Sequence, residues 1–100
     1  MRNPKQVTPV MEGINRRFFA AVGVLIDMKS VNSLSAFCIE FDLSAPRYRE
    51  MRATYGVNPN PNAKPSRYKH IEMDALYLLC KEYRISAEWL LLGKGYMFKN

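Results

Sequence analysis

The sequence holds few of the residue types that carry catalytic or metal chemistry. It has two cysteines, Cys38 and Cys80, and a single histidine, His70. No Cys-x-x-Cys or His-x-x-x-His spacing occurs, and both thiols fall within apolar stretches, so we expect reduced core cysteines rather than zinc ligands or a disulfide framework. The serines of residues 33–44 have no histidine near them in the sequence. We therefore expect no metal site, no cofactor and no enzymatic activity.

Long apolar runs are also missing. The uncharged segment 18–26 is much shorter than the ~20 residues that a membrane-spanning helix needs. Residues 1–10 contain no apolar stretch of the kind that signal peptides have. A chain of 100 residues with 48% hydrophobic and 24% charged residues has the size and composition of one ordinary globular domain. The sequence thus predicts a single domain in the cytoplasm, without a membrane partner.

Acidic residues are scarce in one part of the chain. The net charge is +6, and residues 44–69 contain only one acidic residue, Glu50. A local positive field attracts polyanions, of which nucleic acid is the first candidate and an acidic membrane or protein surface the second. A solvated basic face without a partner is the alternative. The basic residues of this segment are Arg47, Arg49, Arg52, Lys64, Arg67 and Lys69.

The N-terminal third of the sequence predicts an irregular arm followed by a long helix. Residues 1–12 contain two prolines and little apolar pattern, so we expect no regular structure there and assign the folded domain to residues 13–100. From Ile14 to about Lys29, apolar residues recur at the spacing of one helical face.

Two short helices are predicted next, joined by a tight corner. Asn32 or Ser33 can cap the second helix, and Ser44 can cap the third, because a short side-chain oxygen accepts a free backbone N–H. Asp42 tolerates the positive φ that ends the second helix, and Leu43 is expected to be buried. Pro46 is acceptable in the first turn. The residues of the third helix that are spaced to face inward are Tyr48, Met51 and Tyr55.

The rest of the chain predicts a loop and two further helices. Prolines and asparagines mark residues 56–69 as an inserted loop. A fourth helix is predicted from about Ile71, and a short fifth one begins at Ser86 and ends at a left-handed Gly93. The apolar stripe of the fourth helix is Met73, Leu76, Leu79, Cys80 and Tyr83. The fold class is therefore all-α, with five helices.

The corner between the second and third helices resembles a known family. Residues 37–44, Phe-Cys-Ile-Glu-Phe-Asp-Leu-Ser, resemble the core of the Cro and lambda-repressor-like helix-turn-helix proteins. Residues 14–18 are similar to the opening of helix one in that family. Residues 83–98, which contain Trp-Leu-Leu-Leu-Gly-Lys-Gly-Tyr-Met-Phe, resemble the closing motif of many short phage-type bacterial regulators. The resemblance implies sequence-specific binding of double-stranded DNA by a repressor-type transcriptional regulator of the bacterial cytoplasm, bound at the nucleoid.

This chain departs from the family pattern at several positions. Asp42 stands where the family has a turn glycine, Cys38 where it has a small alanine, and Leu34 where helix two often begins with glutamine. The loop 56–69 is longer than the usual link. The contact face is therefore predicted from helix geometry and not from the base contacts of the family.

In that geometry the third helix, about residues 44–55, is the recognition helix. A rotation of 100° per residue places Arg49 and Glu50 opposite the inward face. The planar fork of Arg49 matches guanine O6 and N7, and Glu50 can accept from a cytosine amine or limit non-specific binding. Phosphates are expected at the flanking arginines, at the helix N-terminus and along the loop. The predicted DNA-binding residues are Ser44, Ala45, Pro46, Arg47, Arg49, Glu50, Arg52, Ala53, Lys64, Arg67 and Lys69.

Three further interpretations stay open at this point. Each arginine of the third helix could instead lie over the rings of Tyr48 and Tyr55. The domain could be a protein-interaction module, such as an antitoxin or antirepressor, that uses its apolar tail, or it could bind RNA through the same charge. A single module contacts few base pairs, so we also expect a homodimer, with the segment Trp89–Phe98 as its surface.

Overall fold

Five helices follow one another in a computed structural model that describes residues 7–99. The last of them is a single turn of π-helix. No strand forms within residues 7–99, where Ile85 and Phe98 make one isolated antiparallel bridge. The prediction of an all-α fold is confirmed. The helices are α1 (Pro9–Asp27), α2 (Leu34–Glu40), α3 (Ala45–Tyr55), α4 (Met73–Tyr83) and α5 (Glu88–Leu92).

The first helix begins earlier than the sequence pattern predicted. Thr8 caps it by accepting the N–H of Met11 at 3.1 Å, and Pro9 occupies the first helical position. A proline is well tolerated there because its missing N–H would have no partner within the helix. The prediction of an irregular segment over 1–12 is therefore wrong for residues 9–12, and residues 1–6 lie outside the described part of the chain.

The corner between α2 and α3 forms as predicted. Ser33 accepts the N–H of Ala36 at 3.0 Å, and Ser44 caps α3 in the same way. Asp42 adopts a φ of 57°, which reverses the chain so that the N–H of Leu43 reaches the carbonyl of Cys38 at 2.7 Å. Leu43 is only partly buried, because its backbone rather than its side chain closes the turn.

The fourth helix starts two positions later than expected and turns its predicted face to the core except at its first residue, since Leu76, Leu79, Cys80 and Tyr83 all pack in or against the core. Met73, its first residue, is 78% exposed, while Ala75 and Leu79 are buried. Met73 is therefore wrongly predicted as a core residue. Ser86 accepts the N–H of Trp89 at 3.3 Å, and Gly93 ends α5 with a φ of 72°.

An aromatic cluster joins the helices in the core. The ring of Phe18 in α1 contacts the rings of Phe37 in α2 and Tyr48 in α3, at centroid distances of 6.1 and 5.6 Å. Phe37 in turn contacts Tyr83 of α4 at 6.1 Å. Edge and tilted ring contacts of this kind add to the free energy gained from apolar burial. Phe18 thereby fixes α3 against the rest of the domain.

Arg17 attaches α5 to α1. Its Nε donates to the carbonyl of Leu90 at 2.8 Å, and its Nη2 donates to the carbonyl of Leu91 at 3.2 Å. Carbonyls in the last turn of a helix lack partners within that helix, and a guanidinium satisfies two of them at once.

The helices of residues 7–99 are too short or too polar to cross a bilayer. The longest, α1, contains four charged positions along its length, namely Glu12, Arg16, Arg17 and Asp27.

Candidate nucleic-acid interface

The inward face of α3 is the one that the sequence predicted. Tyr48 and Met51 are completely buried and Tyr55 nearly so. The hydroxyl of Tyr48 donates to Oε1 of Glu72 at 2.9 Å and accepts the backbone N–H of Glu72 at 3.2 Å. Burial raises the pKa of the Tyr48 phenol far above its ordinary value, so this side chain stays neutral and works as a fixed hydrogen-bonding anchor. These contacts determine which side of α3 remains exposed.

The exposed side of α3 presents two arginines. Pro46, Arg49 and Arg52 are exposed, and Ala53, one turn after Arg49, is partly exposed. Nη1 of Arg49 donates to the hydroxyl of Ser35 in α2 at 3.1 Å, which positions the guanidinium across the two helices. A single hydrogen bond leaves most of the five guanidinium N–H donors available to a ligand.

Glu50 is engaged on the opposite flank of that face. Its carboxylate accepts the backbone N–H of Arg67 at 2.8 Å and forms an ion pair with the Arg67 guanidinium at 3.2 Å. The hydroxyl of Ser66 also donates to it at 3.4 Å. The N–H of Arg67, followed by its guanidinium, lowers the pKa of Glu50. This geometry leaves the carboxylate and Arg67 bound to each other rather than turned toward a ligand.

Arg47 has a structural role. Its Nη2 donates to the carbonyl of His70 at 2.9 Å, and its guanidinium lies over the ring of Tyr68 at 4.8 Å and the ring of Tyr48 at 6.0 Å. Its Nε is buried without a hydrogen-bond partner among the described residues. For this arginine, the interpretation that it lies over an aromatic ring is the one observed.

The loop after α3 is fastened back onto that helix. The N–H of Asn60 donates to the carbonyl of Ala53 at 2.9 Å, and the N–H of Ser66 donates to the hydroxyl of Thr54 at 2.9 Å. Nζ of Lys69 donates to the carbonyl of Ser66 at 2.9 Å, whereas Lys64 is exposed near the loop tip. The loop is thus attached to α3 near both of its ends.

The remaining predicted residues lie at the start of α3. Ser44 is exposed and its hydroxyl accepts the N–H of Arg47 at 3.3 Å, while Ala45 is partly buried. The exposed residues Ser44, Pro46, Arg49 and Arg52 make up what we call the exposed strip of α3. Arg47 and Glu50 lie on the other flank and contact residues 66–70 of the loop.

A groove runs beside the exposed strip, and the sequence did not predict it. It encloses about 380 Å³ between α1 and the C-terminal half of α3, and we call it the α1–α3 groove. Arg49 and Arg52 line one side, and Asn58 and Asn60 of the loop line its end. The sequence pattern marks these asparagines only as turn residues, because their position beside α3 depends on contacts that no local pattern encodes.

The C-terminal segment divides between the core and the surface. Trp89, Met97 and Phe98 pack against the core, and the N–H of Ser86 donates to the carbonyl of Met97 at 2.7 Å. Leu91 and Leu92 remain exposed, but Leu92 lies beside Pro9 and Val10 of α1, whereas Leu91 also adjoins α4. An apolar surface therefore persists on α4 and α5 rather than along the whole predicted segment 89–98. We call it the α4–α5 surface, and its exposed members are Met73, Tyr77 and Leu91.

Metal-binding residues do not cluster within residues 7–99: no three of the histidine, cysteine, aspartate and glutamate side chains lie together as ligands. Cys38 is completely buried, and this burial raises the pKa of its thiol to about 11. Cys80 is partly buried, which also raises its pKa. Both thiols are therefore protonated and weakly nucleophilic near neutral pH.

Comparison of the chain with protein-family models, curated proteins and solved structures finds no match. The functional assignment therefore rests on the geometry described above.

Proposed function

We propose that the protein binds double-stranded DNA sequence-specifically, with α3 in the major groove, and acts as a repressor-type transcriptional regulator of the Cro and lambda-repressor-like kind. The observation that carries this proposal is the exposed strip of α3. Arg49 projects from it toward Ser35 of α2, and Arg52 follows one turn later. A helix fits the major groove, and an exposed arginine there can donate two hydrogen bonds to guanine.

Charge and rigidity support the same function. Glu50, the only acidic residue of 44–69, is paired with Arg67, so its charge is compensated on the flank of the helix. The buried face of α3 holds the helix through Tyr48 and Met51, which gives the exposed arginines a fixed direction. A preorganised donor loses less conformational entropy on binding than a mobile side chain does.

The proposed partner arrangement is a symmetric homodimer on a palindromic operator. The α4–α5 surface is the candidate contact, because Met73, Tyr77 and Leu91 are exposed large hydrophobic residues around one depression. An apolar depression of about 270 Å³ lies between these two helices. Apolar patches that are exposed in a monomer commonly mark protein interfaces. Light scattering measures the molar mass in solution, and we expect a dimeric wild type and a monomeric Leu91→Asp variant. A monomeric wild type contradicts the proposed dimer.

The decisive test of DNA binding is selection from a random duplex library, carried out at two salt concentrations. We expect one enriched motif with two half-sites and an affinity that falls linearly with the logarithm of salt concentration. The double variant Arg49→Ala/Arg52→Ala should enrich nothing, while Lys94→Ala, which removes an exposed charge from the C-terminal segment, should return the wild-type motif. Failure of the wild type to enrich any duplex contradicts the proposal.

The α4–α5 surface also supports a second candidate function, a module that binds another protein. An antitoxin- or antirepressor-like role requires an exposed apolar contact face, and Tyr77 and Leu91 provide one. Affinity capture distinguishes the two functions. A stoichiometric protein partner that is retained by Arg49→Ala/Arg52→Ala and lost by Leu91→Asp favours the interaction module over DNA binding.

A further inference from the structure

The α1–α3 groove owes its depth to missing side chains. Gly23 of α1 faces it, and a Cβ built at this position would meet no atom within 4 Å. Phe19 lies almost fully buried one helical turn earlier, and Ala53 and Gly56 line the α3 side. A larger residue at Gly23 would project directly into the groove.

The polar side chains that line the groove all carry N–H donors. Arg49 and Arg52 bring two guanidinium groups, and Asn58 and Asn60 bring two amides. No acidic side chain is among the residues that line this groove in the structure, and Asp27 lines an adjoining depression that shares Gly23, Val57 and Asn58 with it. Guanidinium and amide groups that line a cleft of this size can donate to the oxygens of a phosphate group.

The loop that carries the amides is held in place. Asn60 bonds through its backbone to Ala53, and its side-chain oxygen accepts the N–H of Asn62 at 2.9 Å. Three prolines between residues 57 and 66 restrict the backbone further. Asn58 is exposed next to this anchor, so its amide is carried on a rigid turn beside the exposed strip of α3.

We propose that the α1–α3 groove binds a phosphate group of the DNA backbone, next to the bases that α3 reads. This proposal rests on the proposed function, because the groove shares Arg49 and Arg52 with the exposed strip. The loop then contributes to DNA binding through its asparagines, on the flank opposite to Glu50 and Arg67. A backbone phosphate at this position sets the register of α3 in the major groove.

The experiment compares matched variants on the selected duplex. Asn58→Asp introduces a charge at the groove, and Asn62→Asp introduces the same charge in the same loop away from its lining. We expect Asn58→Asp to weaken binding about tenfold and Asn62→Asp about twofold or less, since a carboxylate repels a phosphate most strongly at contact distance.

A second pair of variants changes the space in the groove. Gly23→Leu should fill the groove and weaken DNA binding, while Gly23→Ala should leave DNA binding unchanged. Thermal unfolding controls for folding, and both Gly23 variants should be at least as stable as the wild type because leucine and alanine are better helix formers.

Modified ligands identify the source of the phosphate. In a series of duplexes with one uncharged methylphosphonate each, one position should weaken duplex binding by the wild type but add little to the binding defect of Asn58→Asp.

Free anions give the second test. Inorganic phosphate should compete with the duplex no better than chloride does at equal ionic strength. Specific competition by inorganic phosphate overturns the backbone assignment in favour of a free anion. If Asn58→Asp and Asn62→Asp weaken duplex binding equally while duplex selection still depends on Arg49, the phosphate site in the groove is wrong and the proposal of DNA binding by α3 stands. A wild type that selects no duplex overturns both proposals.

Discussion

The six basic side chains of residues 44–69 fall into two sets that do different work. Arg47 and Arg67 donate to His70 and Glu50 and so fasten the loop to α3, while Lys69 donates to Ser66 within the loop. Arg67 is 77% exposed, but its charge is paired with Glu50. The other set, Arg49, Arg52 and Lys64, is exposed and forms no ion pair in the structure of residues 7–99. The comparison shows that half of a basic cluster can serve the fold, so the charge of a segment overstates the charge that a ligand meets.

The largest expected difference between the sets lies in DNA binding by Arg49→Ala. Loss of the exposed guanidinium should cost about 1–3 kcal/mol and relax preference at one base pair, because a bidentate contact to guanine is lost. Binding-site selection and competition measurements check this. Arg67→Ala is the matched control from the other set, and equal loss of base preference in the two variants would contradict the division.

The next effect concerns stability, where the larger loss is expected in the set that fastens the loop. Arg47→Ala removes the hydrogen bond to His70 and the stacking on Tyr68, so the free energy of unfolding should fall by about 1–2 kcal/mol. Arg52→Ala, an exposed arginine in the same helix, should change stability much less. Urea unfolding of both variants measures the difference. Similar values would mean that Arg47 does not fasten the loop.

A smaller effect is expected at Lys64, which is exposed in the loop. Lys64→Ala should weaken all duplexes alike and reduce the slope of log affinity against log salt by about 0.9 if its ammonium neutralises one phosphate. Titrations at several salt concentrations measure this slope. Lys94→Ala serves as the control, and an unchanged slope in Lys64→Ala would place this side chain outside the contact.

The smallest effect is a pH dependence that belongs to the fastening set. The pKa of Glu50 is lowered from 4.5, chiefly by the N–H of Arg67, so the native state binds this proton less readily than the unfolded chain does. The stabilisation is fully present above the ordinary carboxyl pKa and is lost as the pH falls through the lower native pKa. Glu50→Gln should therefore lose less stability on acidification than the wild type. Denaturation at neutral and acidic pH measures this, and identical profiles would contradict the pairing.

Local signals in the sequence were sufficient for most of the fold. The capping serines 33, 44 and 86 and the left-handed Asp42 and Gly93 were all predicted, because each depends on neighbours within a few residues. The sequence pattern misses the start of α1 because Pro9 counts there toward an irregular segment, although Thr8 is a cap and Pro9 occupies the first helical position.

The candidate site was only partly predictable. Helical periodicity identified the exposed strip with Arg49, but it could not assign Glu50 to Arg67, since the two are 17 positions apart across an irregular loop. The same holds for Asn58, whose place beside Arg52 depends on how the loop returns to α3. Periodicity determines which way a side chain points from its own helix, and contacts with the loop then determine which of those side chains are already hydrogen-bonded within the protein.

The attachment of α5 to Arg17 has a consequence for how the protein is made. The bond from Arg17 to the carbonyl of Leu90 joins positions 73 residues apart. A nascent chain that has emerged only as far as α3 and α4 therefore lacks the partner that completes α1. Native closure of the domain must wait until the Trp-Leu-Leu-Leu run has been synthesised, so the local contacts of the helix corner can form before α5 docks on α1.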